Sequence, residues 1–152
     1  MEVIRRFSDD EYAQALKSWA WLGLGQLTPQ FTSPFGDVFL ESQSGWWFLD
    51  TMDGSLSEPW ASQAELQAAL NTSDGQHRYL LLPLAVEAEA AGLTPGGTEI
   101  LSLTVPAVLG GELSVSNISV TEFVVSVNVA GQIHDQVRKL PPGTAISGVT
   151  IA

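Results

Sequence analysis

The sequence contains no cysteine, which removes disulfides, thiol nucleophiles and thiolate metal sites together. Cations are scarce: six Lys and Arg stand against 17 Asp and Glu, a formal net charge of −11. They fall in three places: Arg5, Arg6 and Lys17 near the start, Arg78 in the middle, Arg138 and Lys139 near the end. Between Ser18 and His77 seven carboxylates meet no Lys or Arg, and between Tyr79 and Val137 six more meet none. Such a surface repels phosphate and anionic lipid, so neither nucleic acid nor a membrane is expected as partner, whereas a basic protein is attracted. Excess acid also serves simply to keep a fairly apolar chain in solution. Long apolar runs are missing as well. The longest, Tyr79 to Val86, is interrupted by Pro83 and falls short of the ~18 residues of a membrane span. The first residues lack the apolar core of a signal peptide, and the expected location is the cytoplasm.

What is present suits one folded domain over residues 1–152. That length is about one domain. The apolar fraction is 45% and the charged fraction 15%, against ~25% charged in an average domain. So little charge implies a large core, or apolar surface reserved for a partner.

Helix starts are written in the sequence. Ser8 and Glu11 form a Ser-x-x-Glu capping box, with Phe7 and Tyr12 placed as a hydrophobic staple. Tyr12, Leu16 and Trp19 follow at helical spacing, and Gly23 and Gly25 end the run. Ser62 with Glu65 and Ser73 with Gln76 read as a second and third box. The third opens a segment to Ala91 with Gly92 as its C-cap; Pro83 kinks it or divides it into two shorter helices. Residues 35–60 read as a three-stranded antiparallel meander: Phe35 to Leu40, Trp46 to Leu49, then Leu56, Glu58 and Trp60 in alternation. In the last third, 99–105 and 118–129 read as strands, the latter with Phe123, Val125, Val127 and Val129 on one face. Gly131 to Leu140 reads as a short helix stopped by Pro141-Pro142-Gly143. Strands and helices segregate in blocks, so the expected class is α+β, a meander and further strands packed with three to four helices.

Chemistry-bearing patterns are sparse, and no catalytic residue, metal ligand or cofactor site is assigned. His77 and His134 are far apart and neither has a second ligand at helical spacing. Asp50-x-x-Asp53-Gly54 lacks the spacing of a calcium loop and reads as a turn. His134 and Asp135 are neighbours, so on a helix they point about 100° apart and do not pair as base and orienter. His134 then has a helix-surface or a buried hydrogen-bonding role. Five tryptophans are the anomaly. Adjacent Trp46 and Trp47 must face opposite sides of a sheet; one enters the core, the other is covered by a helix or exposed as an interface anchor. The candidate partner surface is therefore the meander, with Asp37, Glu41, Asp53 and Glu58 as a charged rim and Trp46, Trp47 or Trp60 as central anchor.

The run Phe35-Gly36-Asp37-Val38-Phe39-Leu40, then Phe48-Leu49-Asp50-Thr51 with Gly54, resembles the C-terminal domain of type VI secretion immunity proteins, long catalogued as a domain of unknown function. Pro106 with Leu109-Gly110-Gly111, Asn117-Ile118 and Gly131-Gln132-Ile133-His134 are similar to that family in the same order. The resemblance implies a non-enzymatic bacterial antidote that binds and neutralises a cognate toxic effector, in the best-known case a nuclease, inside the producing cell. Family members often carry a GAD-like domain ahead of this one; Trp19 lies so near the start that the domain is expected to be missing. The alternative is a small-molecule-binding or enzymatic domain of unknown substrate.

Overall fold

Ser8 starts the first helix as its spacing predicts. In the computed structural model, which describes residues 2–146 and 148–152, Ser8 Oγ accepts the Glu11 N–H at 3.1 Å and the Glu11 carboxylate accepts the Ser8 N–H at 3.0 Å. The Phe7 and Tyr12 rings meet edge-on at 6.0 Å, completing the staple. The helix α1 (Asp9–Leu16) tightens into a 3-10 turn over Lys17–Leu22, and Gly23, at φ 75°, reverses the chain.

Four strands follow where three are expected: β1 (Thr28–Thr32), β2 (Val38–Glu41), β3 (Trp46–Asp50) and β4 (Ser55–Trp60), all antiparallel and in sequential order. The unexpected strand, β1, carries Pro29, which is tolerated because β1 lies at the edge of the sheet. A short bridge protects part of that edge: Arg5 N–H donates to Thr32 O at 3.0 Å and Thr32 N–H to Arg5 O at 2.8 Å. The buried Arg5 guanidinium reaches on to Gly96 O and to Glu2.

The pleat sorts the sheet's side chains into two cores. Val38, Leu40 and Leu49 pack with Tyr12, Ala15 and Trp19 on one face. Phe39, Trp46, Phe48 and Trp60 pack on the other against Leu66 of α2 (Gln63–Leu70) and Leu80 of α3 (Ser73–Leu80). The helical reading of 73–91 resolves into its two-helix form. Leu81 adopts a left-handed φ of 46°, and α4 (Leu82–Ala90) restarts with Pro83 in its first turn, where a missing N–H costs nothing.

The largest departure is in the last third. β5 (Glu99–Leu103) pairs with β6 (Ile118–Glu122), but the strand expected to run to 129 stops at Glu122. From Phe123 the chain is helical to Val137, forming α5, which absorbs the short helix expected from Gly131. Phe123, Val127, Gly131 and His134 form a buried stripe at a spacing of three to four, Ile133 is buried beside it, and Val125 is 60% exposed. The β-branched residues favour a strand locally, but burial of this stripe against α1 overrides them. The tie is specific: Trp19 Nε1–H donates to Val127 O at 2.9 Å, Ser18 Oγ to Asn128 O at 2.7 Å. The result is α+β, as expected, with five α-helices among the described residues. Among the described residues no helix is long and apolar enough to cross a membrane.

Two of the three capping boxes start helices at the expected residue. Ser62 Oγ accepts the Glu65 N–H at 3.2 Å, although the Glu65 carboxylate reaches Ala61 N–H rather than Ser62. The third is displaced by one position: Thr72 Oγ1, not Ser73, accepts the Gly75 N–H. Ser8→Ala, Ser62→Ala and Thr72→Ala should each cost about 0.5–2 kcal/mol in urea unfolding. Ser73→Ala should stay within about 0.5 kcal/mol of the native chain; equal losses at Thr72 and Ser73 would contradict this cap assignment.

Candidate functional site

Buried polar side chains are few, and four of them are strung together. Ser33, Asp37, Thr51 and His134 are each at least nine-tenths buried. The turn before β2 places the first two. Ser33 N–H donates to Asp37 O, and Gly36, at φ 88°, lets the chain double back so closely that a Cβ there would lie 2.6 Å from Ile100. Ser33 Oγ accepts the amides of Phe35 and Asp37 and donates to Asp37 Oδ2 at 2.9 Å. Asp37 Oδ1 accepts the Thr51 N–H at 2.8 Å and the Thr51 hydroxyl at 2.9 Å. The carbonyl of Thr51 lies 3.0 Å from His134 Nε2. A carbonyl only accepts, so the proton sits on Nε2.

Electrostatics follow from this burial. Loss of hydration is the largest influence on Asp37 and, with the nearby Asp50 charge, pushes its carboxyl up to about 6, against the downward pull of the Thr51 and Ser33 hydrogen bonds. Burial likewise pushes the His134 imidazole below its ordinary value, opposed by the Thr51 and Met52 backbone and the carboxylates of Asp53 and Asp50. His134 and Asp37 do not touch; the peptide unit and side chain of Thr51 stand between them. Asp135 turns away to Arg138 at 2.7 Å and Lys139 at 3.6 Å. This is the buried hydrogen-bonding role for His134, in an arrangement that ties the turn before β2, the turn after β3 and α5 into one unit.

A cleft of about 260 Å³ opens beside this chain. Phe35, Met52, Leu103, Val108, Val129 and Ile133 line it, with Thr51 and His134, and hydroxyls come from Ser102, Thr104, Thr121 and Ser126. Among the described residues no charged side chain lines it. Its chemistry is that of a neutral, mostly apolar socket with a few polar contacts.

The residues expected to meet a partner are divided by the structure. Asp37, Trp46 and Trp60 are buried, which corrects their assignment to a rim and an anchor: each has spent its surface on the interior. Glu41, Asp53 and Glu58 are exposed. Trp47 is half-buried, on the sheet face opposite to Trp46, and its Nε1–H donates to Ser42 Oγ at 2.9 Å. Trp47 and Glu41 line one open depression of about 640 Å³ with Leu27 and the 42–44 turn. Glu58 joins them by accepting from Ser44 Oγ at 2.7 Å. Asp53 lies at the other end of the strands, beside His134, where Asp50 Oδ1 closes the turn by accepting the amides of Met52 and Asp53. Ser33 escapes sequence reading altogether, and Thr51 enters it only within the run that carries the resemblance. The available signal was Asp37 itself, an acid set inside the apolar run from Phe35 to Leu40. No protein-family model matches this chain, and no curated protein matches it.

Proposed function

We propose that the protein is a non-catalytic binding module that acts as an immunity protein, capturing and neutralising a basic toxic effector, such as a nuclease, of a type VI secretion system inside the cell that makes it. The observation that carries this reading is the pairing of a half-buried Trp47 with exposed Glu41 and Glu58 around one depression, in a stretch without a single Lys or Arg from Ser18 to His77. Rim carboxylates steer a cationic partner, and an aromatic group desolvated on contact holds it. The segments that carry the resemblance add support, since 35–37, 51–54 and 131–134 meet around one buried polar chain.

The test begins with co-purification of the product of the neighbouring gene. With that partner, the association rate should fall steeply between about 0.05 and 0.5 M salt, as the Debye length drops through ~10 Å. Glu41→Gln with Glu58→Gln should flatten that dependence, while Trp47→Ala should raise the dissociation rate by an amount worth at least about 2 kcal/mol. An association rate indifferent to salt and to both glutamines leaves the acid a solubility device and removes the reading. The uncharged cleft beside His134 favours a second reading, a neutral small ligand, which native mass spectrometry of the purified protein would reveal as added mass.

A further inference from the structure

Residues 150 and 152 are held to α5 by glutamine side chains rather than by burial. Gln136 Oε1 accepts the Thr150 N–H at 2.8 Å, and its Nε2–H donates back to Thr150 O. Gln132 does the same for Ala152, accepting its N–H at 2.6 Å and donating to its carbonyl at 3.3 Å. A primary amide carries a donor and an acceptor side by side, so each glutamine imitates a neighbouring strand for one residue. The two sit one turn apart, about 6 Å along the helix. Alternate residues of an extended chain are about 6.6 Å apart. The spacings match, and residues 150 and 152 engage in register.

Both amides are aimed by α5 and its neighbours independently of the segment they hold. Gln132 Nε2–H also donates to Asn128 Oδ1 at 2.6 Å, Asn128 in turn donates to Gln14 O at 3.2 Å, and Gln136 Nε2–H donates to Gln132 O at 3.2 Å. The segment's own side chains contribute little: Thr150, Ile151 and Ala152 are exposed, and Val149 alone is half-buried, beside Val108 and Leu109. Recognition therefore runs through the backbone and tolerates different sequences.

We propose that Gln132 and Gln136 form a docking rail for an extended peptide backbone, and that the chain's own residues 149–152 are a removable strap occupying it until an extended segment of a partner protein takes its place. Such a partner needs N–H groups at two alternate residues, so proline is excluded from both. This rail is separate from the depression at Trp47, and the proposal stands whether or not that surface captures an effector.

The test uses the full chain. Thr150→Pro with Ala152→Pro removes both donated N–H groups at exposed positions and leaves every core residue in place. A synthetic peptide of residues 144–152 is then titrated while the side-chain amide resonances of Gln132 and Gln136 are followed by NMR. In the proline variant both resonances should shift and saturate. The native chain, whose own segment competes at an effective concentration on the order of millimolar, should need at least about tenfold more peptide. Adding Gln132→Ala and Gln136→Ala to the proline variant should abolish the response at the backbone amides of α5. No shift in the proline variant at millimolar peptide would overturn the rail, and equal titrations of the native and proline chains would overturn the strap.

Discussion

Asp37→Ala should destabilise the protein by about 2–4 kcal/mol at neutral pH, because it strips the acceptor from two buried Thr51 donors, each worth about 1–3 kcal/mol when left unsatisfied. Asp37→Asn should cost less, about 1–2 kcal/mol. Its carbonyl keeps both Thr51 bonds, but Ser33 Oγ already accepts the Phe35 and Asp37 amides and has no lone pair left for the new amide, so the bond from the Ser33 hydroxyl is lost. The pH dependence separates charge from shape. The folded carboxyl titrates at about 6 against an ordinary 3.8, so between those values the folded state binds more protons than the unfolded one. Stability then falls as pH rises through that window, by an amount on the order of 3 kcal/mol for a displacement of about two units. Below about 4 both states are protonated and above about 6 both are ionised, so the slope vanishes outside it. Denaturant midpoints of the native chain and of Asp37→Asn, compared from pH 4 to 7, isolate the contribution. Identical slopes in the two proteins would show that Asp37 does not titrate in this range.

Gly54→Ala should cost about 2–5 kcal/mol. The residue sits at φ +74°, where a side chain costs about 1–2 kcal/mol. Its new Cβ would stand 2.4 Å from His134 Nδ1, a collision that adds the ~1–3 kcal/mol of an overpacked core. The His134 ring has little room to retreat, since it is bonded to Thr51 O and rests against Trp19 at 5.7 Å. Gly92→Ala supplies the control: its φ is +89° and nothing lies within 4 Å of the added carbon, so only the backbone cost remains. Guanidinium unfolding of both variants should show the larger loss at Gly54. A double-mutant cycle with His134→Ala should return a coupling energy of about 1 kcal/mol or more. Equal losses at Gly54 and Gly92 would mean that the His134 contact is slack.

Local chemistry was enough to place the starts of α1 and α2. Ser8 and Ser62 could be read because a cap is a bond between a side chain and an amide three residues on, complete within one turn. The one-residue displacement at Thr72 arises because Thr72 and Ser73 are both capable caps. Gly75, where a Cβ would collide with Ala69 O, lies close enough to this turn to give its N–H to Thr72 Oγ1. The meander of β2, β3 and β4 was legible because β2 and β3 are short apolar runs and each turn carries its own glycine or polar run. The absence of cysteine and the preponderance of acid are likewise facts of composition.

Tertiary structure decided the rest, because the interactions concerned join residues far apart in the chain. β1 has no alternation of its own, and becomes a strand by pairing with β2 and with Arg5. Residues 123–129 favour strand as β-branched residues, and became helix because a stripe spaced three to four apart could be buried against α1 and the turn that carries Trp19. Asp37 and Glu41 are both acids in one apolar run, yet one is interior and the other faces solvent. Ser33, in the same turn, satisfies only part of the first carboxylate; Thr51 must arrive from the end of β3 before it can be buried at all. The polar chain to His134 and the glutamine rail on α5 have the same origin. Hydrogen bonds within a turn are specified by the turn, whereas those across a fold exist only once the apolar surfaces around them have been brought together.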